Sequence, residues 1–147
     1  MILQQSHEFF MNEAIKEAKK AFEKDEVPIG AVVVCNGKII SRAHNLTETL
    51  NDPTAHAEMQ AITAATNFLG GKYLDQCTLY VTVEPCTMCA GALYWSRVGN
   101  LIYGAPDPKR GYKLFGDTIL HPKTQVSTGI MTNECSQLVS DFFKKKR

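Results

Sequence analysis

The sequence predicts an α/β fold, a three-layer α/β/α sandwich around a mixed, roughly five-stranded sheet. Three observations lead there. Asn36-Gly37 separates two short β-rich runs, a strand-helix-strand succession occupies residues 77–103, and segments with helical periodicity open and close the chain.

The first element covers residues 6–22. Phe10, Ala14, Ala18 and Phe22, joined by Met11, Ile15 and Ala21, recur at the spacing of one helical face behind a Ser6 cap. Residues 30–35 and 38–43 follow as strands, and Asn36-Gly37 suits the positive φ angles of a tight hairpin turn. After Asn51-Asp52-Pro53, residues 55–68 are rich in Ala, Met and Gln and stop at Gly70-Gly71, the mark of a second helix.

Residues 77–83 read as a strand, 87–96 as a short helix and 98–103 as another strand. Two strands joined through a helix run parallel. A loop rich in Pro and Gly, residues 105–124, leads to a short strand containing Val126. A last helix starts near Thr132, with Cys135, Leu138, Val139, Phe142 and Phe143 on one face.

Nothing divides residues 1–147 into parts, so a single domain is expected. The chain is 44% apolar and 21% charged without long hydrophobic runs, which excludes a membrane-spanning helix and a disordered chain. Residues 1–8 lack the features of a secretory leader, which gives a cytoplasmic expectation. In that reducing setting five cysteines, an odd number, read as metal ligands or core rather than disulfides. The net charge of +1 is unevenly divided: residues 1–96 hold seven Lys or Arg against eleven Asp or Glu, residues 97–147 nine against four. A basic C-terminal part fits a polyanionic partner or a solvated face.

The chemistry lies in two short segments, His56-Ala57-Glu58 and Pro85-Cys86-Thr87-Met88-Cys89. Pro85 fits a first helical turn, which puts Cys86 and Cys89 at i and i+3 on one face, where both sulfurs reach one metal. The positive end of that helix favours their thiolates. His56 adds a nitrogen and leaves a fourth tetrahedral position for water, the arrangement of a catalytic zinc. On an ideal helix His56 and Glu58 diverge by about 200°, so both serve one site only at the helix start, where the preceding turn puts them.

A C-x-x-C pair alone also fits a redox pair, or a structural zinc site completed by Cys35, Cys77, Cys135 or His44. Together with H-A-E and the proline, it becomes the H-x-E and P-C-x-x-C pattern of zinc nucleobase deaminases. In that pattern one Zn2+ per chain is held by His56, Cys86 and Cys89, and Glu58 is the general acid/base. His7, His44 and His121 lack partners at ligand spacing and read as surface or locally bonded. Cys35, Cys77 and Cys135 read as core and Met88 as packing, while Tyr94 and Trp95 fit either core or a subunit contact.

Longer segments carry a resemblance: Glu26-Val27-Pro28-Ile29-Gly30-Ala31-Val32, Asn45, Asp52-Pro53-Thr54 before His56, Thr78-Leu79-Tyr80-Val81-Thr82, and Glu84 through Ala92. A weaker match runs through His121-Pro122, Gly129-Ile130, Glu134-Cys135 and Ser140-Asp141-Phe142-Phe143. The chain resembles the cytidine-deaminase-like superfamily, and within it is most similar to the bacterial tRNA-specific adenosine deaminases.

The resemblance implies hydrolysis of adenosine to inosine at the wobble position of a tRNA anticodon loop, by a homodimer. It implies that Asn45 bonds the base, that Val27 and Ala57 shape the pocket, and that Asp107, Lys109, Phe142, Phe143 and Lys144 contact RNA. One segment departs from it. Where a loop of small residues is expected after Asp107-Pro108-Lys109, the chain has Arg110-Gly111-Tyr112-Lys113-Leu114-Phe115. A deaminase of free guanine, cytosine or cytidine, and a noncatalytic zinc-stabilised module, are the alternative readings.

Overall fold

A computed structural model describes residues 2–146. Its elements follow the order α1 (Ile2–Glu23), β1 (Gly30–Cys35), β2 (Lys38–His44), α2 (Ala57–Leu69), β3 (Cys77–Val83), α3 (Thr87–Ser96), β4 (Asn100–Ala105), a 3-10 turn (Tyr112–Phe115), β5 (Gln125–Thr128) and α4 (Thr132–Lys145).

The five strands form one sheet in the order β2-β1-β3-β4-β5. β1 runs antiparallel to both β2 and β3, whereas β3, β4 and β5 are mutually parallel, so the sheet is mixed. Asn36 and Gly37 take φ values of 54° and 76°, and this left-handed pair turns β1 into β2.

Side-chain alternation sorts the strands onto two cores. Ala31, Val33, Leu79, Val81, Leu101 and Tyr103 face the α2 and α3 layer. Val32, Val34, Tyr80 and Ile102 face α1 and α4. Leu79 and Leu101 are fully buried; truncating such a leucine to alanine costs about 2–5 kcal/mol.

Three boundaries and one face differ from the sequence expectation. Helix α1 begins at Ile2, so Ser6 lies inside it and is not its cap; no Pro or Gly in residues 2–6 interrupts a helix. Helix α2 begins after His56, which is its extended N-cap. Strand β4 begins at Asn100 because Arg97 ends α3 in the left-handed conformation and the amides of Val98 and Gly99 turn back to Leu93 and Leu74. In α4, Cys135 and Phe142 are buried but Phe143 is 45% exposed. Residues 135, 138 and 142 form the inner stripe, and 143 lies about 100° round the helix from 142.

The site sits at one end of this sheet. The start of β1 pairs with the end of β2, Gly30 opposite His44, and the parallel strand β3 ends beside them. The crevice beyond the carboxyl ends of parallel strands is the usual ligand position in open α/β sheets. Among the described residues no helix is long and apolar enough to cross a membrane.

Candidate active site

Two helix N-termini converge on the site. His56 is the N-cap of α2, with its carbonyl accepting from the Gln60 amide, and Glu58 lies in the first turn. Cys86 is the N-cap of α3, with its carbonyl accepting from the Ala90 amide, and Cys89 lies one turn in. Pro85 therefore precedes the cap rather than opening the helix, and Cys86 has extended backbone, φ −74° and ψ 175°. The expected face-sharing of two helical cysteines is replaced by a cap residue and a first-turn residue, which still brings the sulfurs together.

His56 Nδ1 lies 3.6 Å from Cys86 Sγ and 3.5 Å from Cys89 Sγ. All three donor atoms fall within 4.8 Å of one another, a group that can hold a metal ion. The spacing suits zinc: bonds of about 2.3 Å to sulfur and 2.05 Å to nitrogen at a tetrahedral angle separate the two donors by about 3.6 Å. The Pro53 backbone carbonyl also faces this imidazole and favours its protonated form.

The charges agree with this donor set. The Cys89 thiol and His56 beside it hold the Cys86 thiol down to about 4. Cys89, beside that thiolate and buried, is pushed up. His56 is raised by its bond to Cys86. A cation seated among them would favour the deprotonated form of both sulfurs. Glu58 is 4% exposed, and burial pushes its carboxyl up to about 7; the Cys89 thiol and Glu58's own backbone amide are hydrogen-bond partners. A carboxyl that exchanges protons near neutrality, beside a metal-donor set, is equipped as a general acid/base.

Asn45 sits next to this centre. Its amide donates to Ile29 O, two residues from Val27, and the Leu46 amide donates to Ala55 O, next to His56. Asn45 is 6% exposed and its side-chain Oδ1 is buried with no hydrogen-bond partner among the described residues, while Nδ2 reaches Thr47 Oγ1 at 3.5 Å. Ala57 is fully buried and Val27 half-buried.

The sequence reading missed two buried carboxylates that hold the loops beside the centre. Glu26, with no exposed surface, accepts from the amides of Glu48 and Thr49 and from the hydroxyls of Thr47 and Thr49. Glu84, 7% exposed, accepts from the amides of Asp107 and Lys113. Glu84 stands as a lone acid among uncharged residues, and such acids are rarely buried without partners, but Glu26 follows Glu23, Lys24 and Asp25 and carries no such mark.

The remaining expected contact residues are dispersed. Asp107 is half-buried, with Oδ1 accepting from the amides of Lys109 and Arg110, and Lys109 is exposed. Phe142 packs edge-on against Phe22 and is buried, which leaves Phe143 and Lys144 as the exposed members of the tail. Lys146 pairs with Asp25, so the end of α4 lies on the turn that leads to Val27. His7 meets the Tyr80 hydroxyl at 2.8 Å, His44 meets Glu17 at 3.0 Å, and His121 Nδ1 accepts from the Lys123 amide. Cys77 and Cys135 are buried and Cys35 is half-buried. Trp95 is 76% exposed and so does not belong to the core.

Comparison with known proteins agrees with this geometry. The profile of the family described as MafB19-like deaminase matches residues 5–147. A tRNA-specific adenosine deaminase of Bacillus subtilis is 50% identical over 145 residues, covering 95% of this chain and 90% of that protein. A structure solved in studies of A-to-I editing by tRNA:A34 deaminases at the wobble position of transfer RNA superposes with a TM-score of 0.82 at 44% identity, over 88% of this chain and 98% of that one. A guanine deaminase from Bacillus subtilis superposes with a TM-score of 0.65 at 44% identity, over 68% of this chain and 64% of that one.

Proposed function

This chain belongs to the MafB19-like deaminase family, and from that premise we propose that it is a zinc enzyme converting adenosine to inosine at the wobble position of a tRNA anticodon. The observation that carries the chemistry is the His56, Cys86 and Cys89 donor set at tetrahedral zinc spacing with buried Glu58 beside it.

His56 Nδ1 and the sulfurs of Cys86 and Cys89 would hold one Zn2+. When bound, the metal supplies Lewis acidity that lowers the pKa of water from 15.7 towards about 7. Glu58 moves the protons. Its carboxylate takes one from the water that attacks C6 of the purine, delivers one to the ring nitrogen, and helps protonate departing ammonia. Water and adenosine thus give inosine and ammonia.

Asn45 orients the base. Its buried, unpartnered Oδ1 is an acceptor, and an acceptor left unpaired in a buried site is costly unless a substrate donor completes it. Val27 and Ala57 form walls beside it. The target nucleotide must leave its stack to reach Glu58, which an anticodon loop permits more readily than a duplex.

Support for RNA comes from the tRNA-specific relative and from the tRNA:A34 deaminase structure, both matched over most of their length. Exposed Lys109 and, at the end of α4, Phe143 and Lys144 would contact the loop, with Asp107 shaping the turn that presents Lys109. The enzyme would act as a homodimer, with exposed Trp95 on α3 in the subunit contact, and would work in the cytoplasm, where its tRNA is found.

Sequencing a tRNA after incubation with zinc-loaded protein tests the assignment. Conversion of the wobble adenosine, read as guanosine, is expected from the wild type and not from Glu58→Ala. A second reading, deamination of free guanine, is favoured by the likeness to the guanine deaminase over two thirds of the chain.

A further inference from the structure

Glu84 lies between the last strand residue before the site and the Pro85-Cys86 turn that begins α3. Its carboxylate is nearly fully buried, and no Lys or Arg among the described residues forms an ion pair with it. Instead Oε1 accepts from the Asp107 amide at 3.0 Å and Oε2 from the Lys113 amide at 3.1 Å. These amides are the two ends of one loop, so a single side chain closes it. Charge-assisted bonds of this kind are about twice as strong as neutral ones.

The closed loop is laid against the metal turn. Gly111 pairs as an isolated antiparallel bridge with Cys86, and the Tyr112 amide donates to Pro85 O at 2.9 Å. Gly111 leaves no room for more: a Cβ there would run into Glu84 Oε2 and Cδ and into the Asp107 backbone carbonyl. Within the loop, Asp107 Oδ1 gathers the amides of Lys109 and Arg110. Tyr112 is buried, T-shaped to Tyr103, and anchors the far side. What remains outside is Lys109, Arg110, Lys113, Leu114 and Phe115, three cations and an aromatic ring on one short exposed segment.

We propose that Glu84 is a positioning residue for RNA recognition: it holds residues 107–113 in one shape against the Cys86 turn, so that Lys109 and Arg110 meet substrate phosphates without prior ordering of the loop. The inference rests on the RNA reading above. It follows from preorganisation: a loop already fixed loses less freedom when it binds. Removing Glu84 therefore weakens RNA capture more than it slows the chemical step. Lys109, Arg110 and Lys113 are themselves trypsin sites, so the loop reports its own mobility.

The test compares wild type with Glu84→Gln, which keeps one acceptor oxygen, Glu84→Ala, which keeps none, and Gly111→Ala, which crowds both the intact carboxylate and the Asp107 carbonyl it holds in place. Three readings are taken: zinc per chain, the rate of tryptic cleavage within residues 109–113, and kcat and KM on an anticodon stem-loop carrying a wobble adenosine.

Expected are wild-type zinc content, loop cleavage faster by about ten- to a hundredfold in Glu84→Ala, less in Glu84→Gln, and a rise in KM that exceeds the fall in kcat. Gly111→Ala should behave like the Glu84 variants. If Glu84→Ala does not fold, the other two variants carry the comparison. Folded variants with wild-type cleavage and KM would overturn the proposal, as would lost zinc with an undisturbed loop. Failure of the wild type to make inosine would sink the RNA reading instead, and the cleavage rates would still decide whether Glu84 holds the loop.

Discussion

His56 Nδ1 and Cys86 Sγ lie 3.6 Å apart although each residue caps a different helix. The donor set thus depends on how α2 and α3 are seated on the sheet, and a metal bound to it would tie them together. A ligand at about a hundredfold its Kd adds about 2.7 kcal/mol to stability, and each kcal/mol moves the Tm of a domain this size by about 2–4 °C. Chelation should therefore lower Tm by about 5–10 °C, and zinc should restore it. Cys86→Ser should bind less than one zinc per chain and show no such shift, by metal analysis and calorimetry.

Stripped of metal, the site should betray its ionised sulfur. The Cys86 thiol is held down to about 4 and is half-exposed, so it is thiolate at pH 6, where an ordinary thiol is protonated. Cys77 and Cys135 are buried and pushed up to about 12. Iodoacetamide at pH 6 should modify Cys86 first, and bound zinc should protect it. Peptide mapping checks both outcomes.

Glu58→Gln keeps the shape of the site and removes the proton carrier. Zinc content should stay at the wild-type level while kcat falls by about 10²- to 10⁴-fold. Equal kcat values would remove Glu58 from its role.

Asn45→Ala deletes an amide whose Oδ1 has no hydrogen-bond partner among the described residues. Loss of its bond to the base should reduce kcat/KM by about ten- to a hundredfold, with unfolding in urea little changed. A variant that lost stability and kept its kcat/KM would make Asn45 a structural residue.

Burial pushes the Glu26 carboxyl up, but its bonds to Thr49, Glu48 and Thr47 outweigh this and leave it below the usual carboxylate range. A carboxyl lowered by folding stabilises the protein above its unfolded value of 4.5 and loses that contribution as pH falls through the lower folded value. Glu26→Gln should be less stable at pH 7 by about 1–3 kcal/mol, and the gap to wild type should close as pH falls below 4.5 and through the lower folded value. Urea unfolding from pH 7 to pH 3 measures this.

Much of the fold was legible because local signals agreed with global ones. Asn36-Gly37 marks a turn that is geometrically a turn, and the β-rich run 77–83 is a strand buried on both faces. That His56, Cys86 and Cys89 meet was legible from the H-A-E and P-C-x-x-C pattern taken together. What spacing could not show is that Cys86 is a cap and not a helical residue, because the proline before it satisfies either arrangement. Ser6 misled since a good cap residue is also tolerated inside a helix. Glu26 and Glu84 were illegible for a deeper reason: their partners are backbone amides of distant loops, which carry no mark in the sequence.

The most direct test of the account is a side-by-side measurement of kcat/KM for zinc-loaded protein on an anticodon stem-loop with wobble adenosine and on free guanine, cytosine and cytidine. The account predicts inosine in the RNA, lost with Glu58→Ala, and no ammonia from the free bases or nucleoside. Rapid ammonia release from guanine with no inosine in the stem-loop would contradict it.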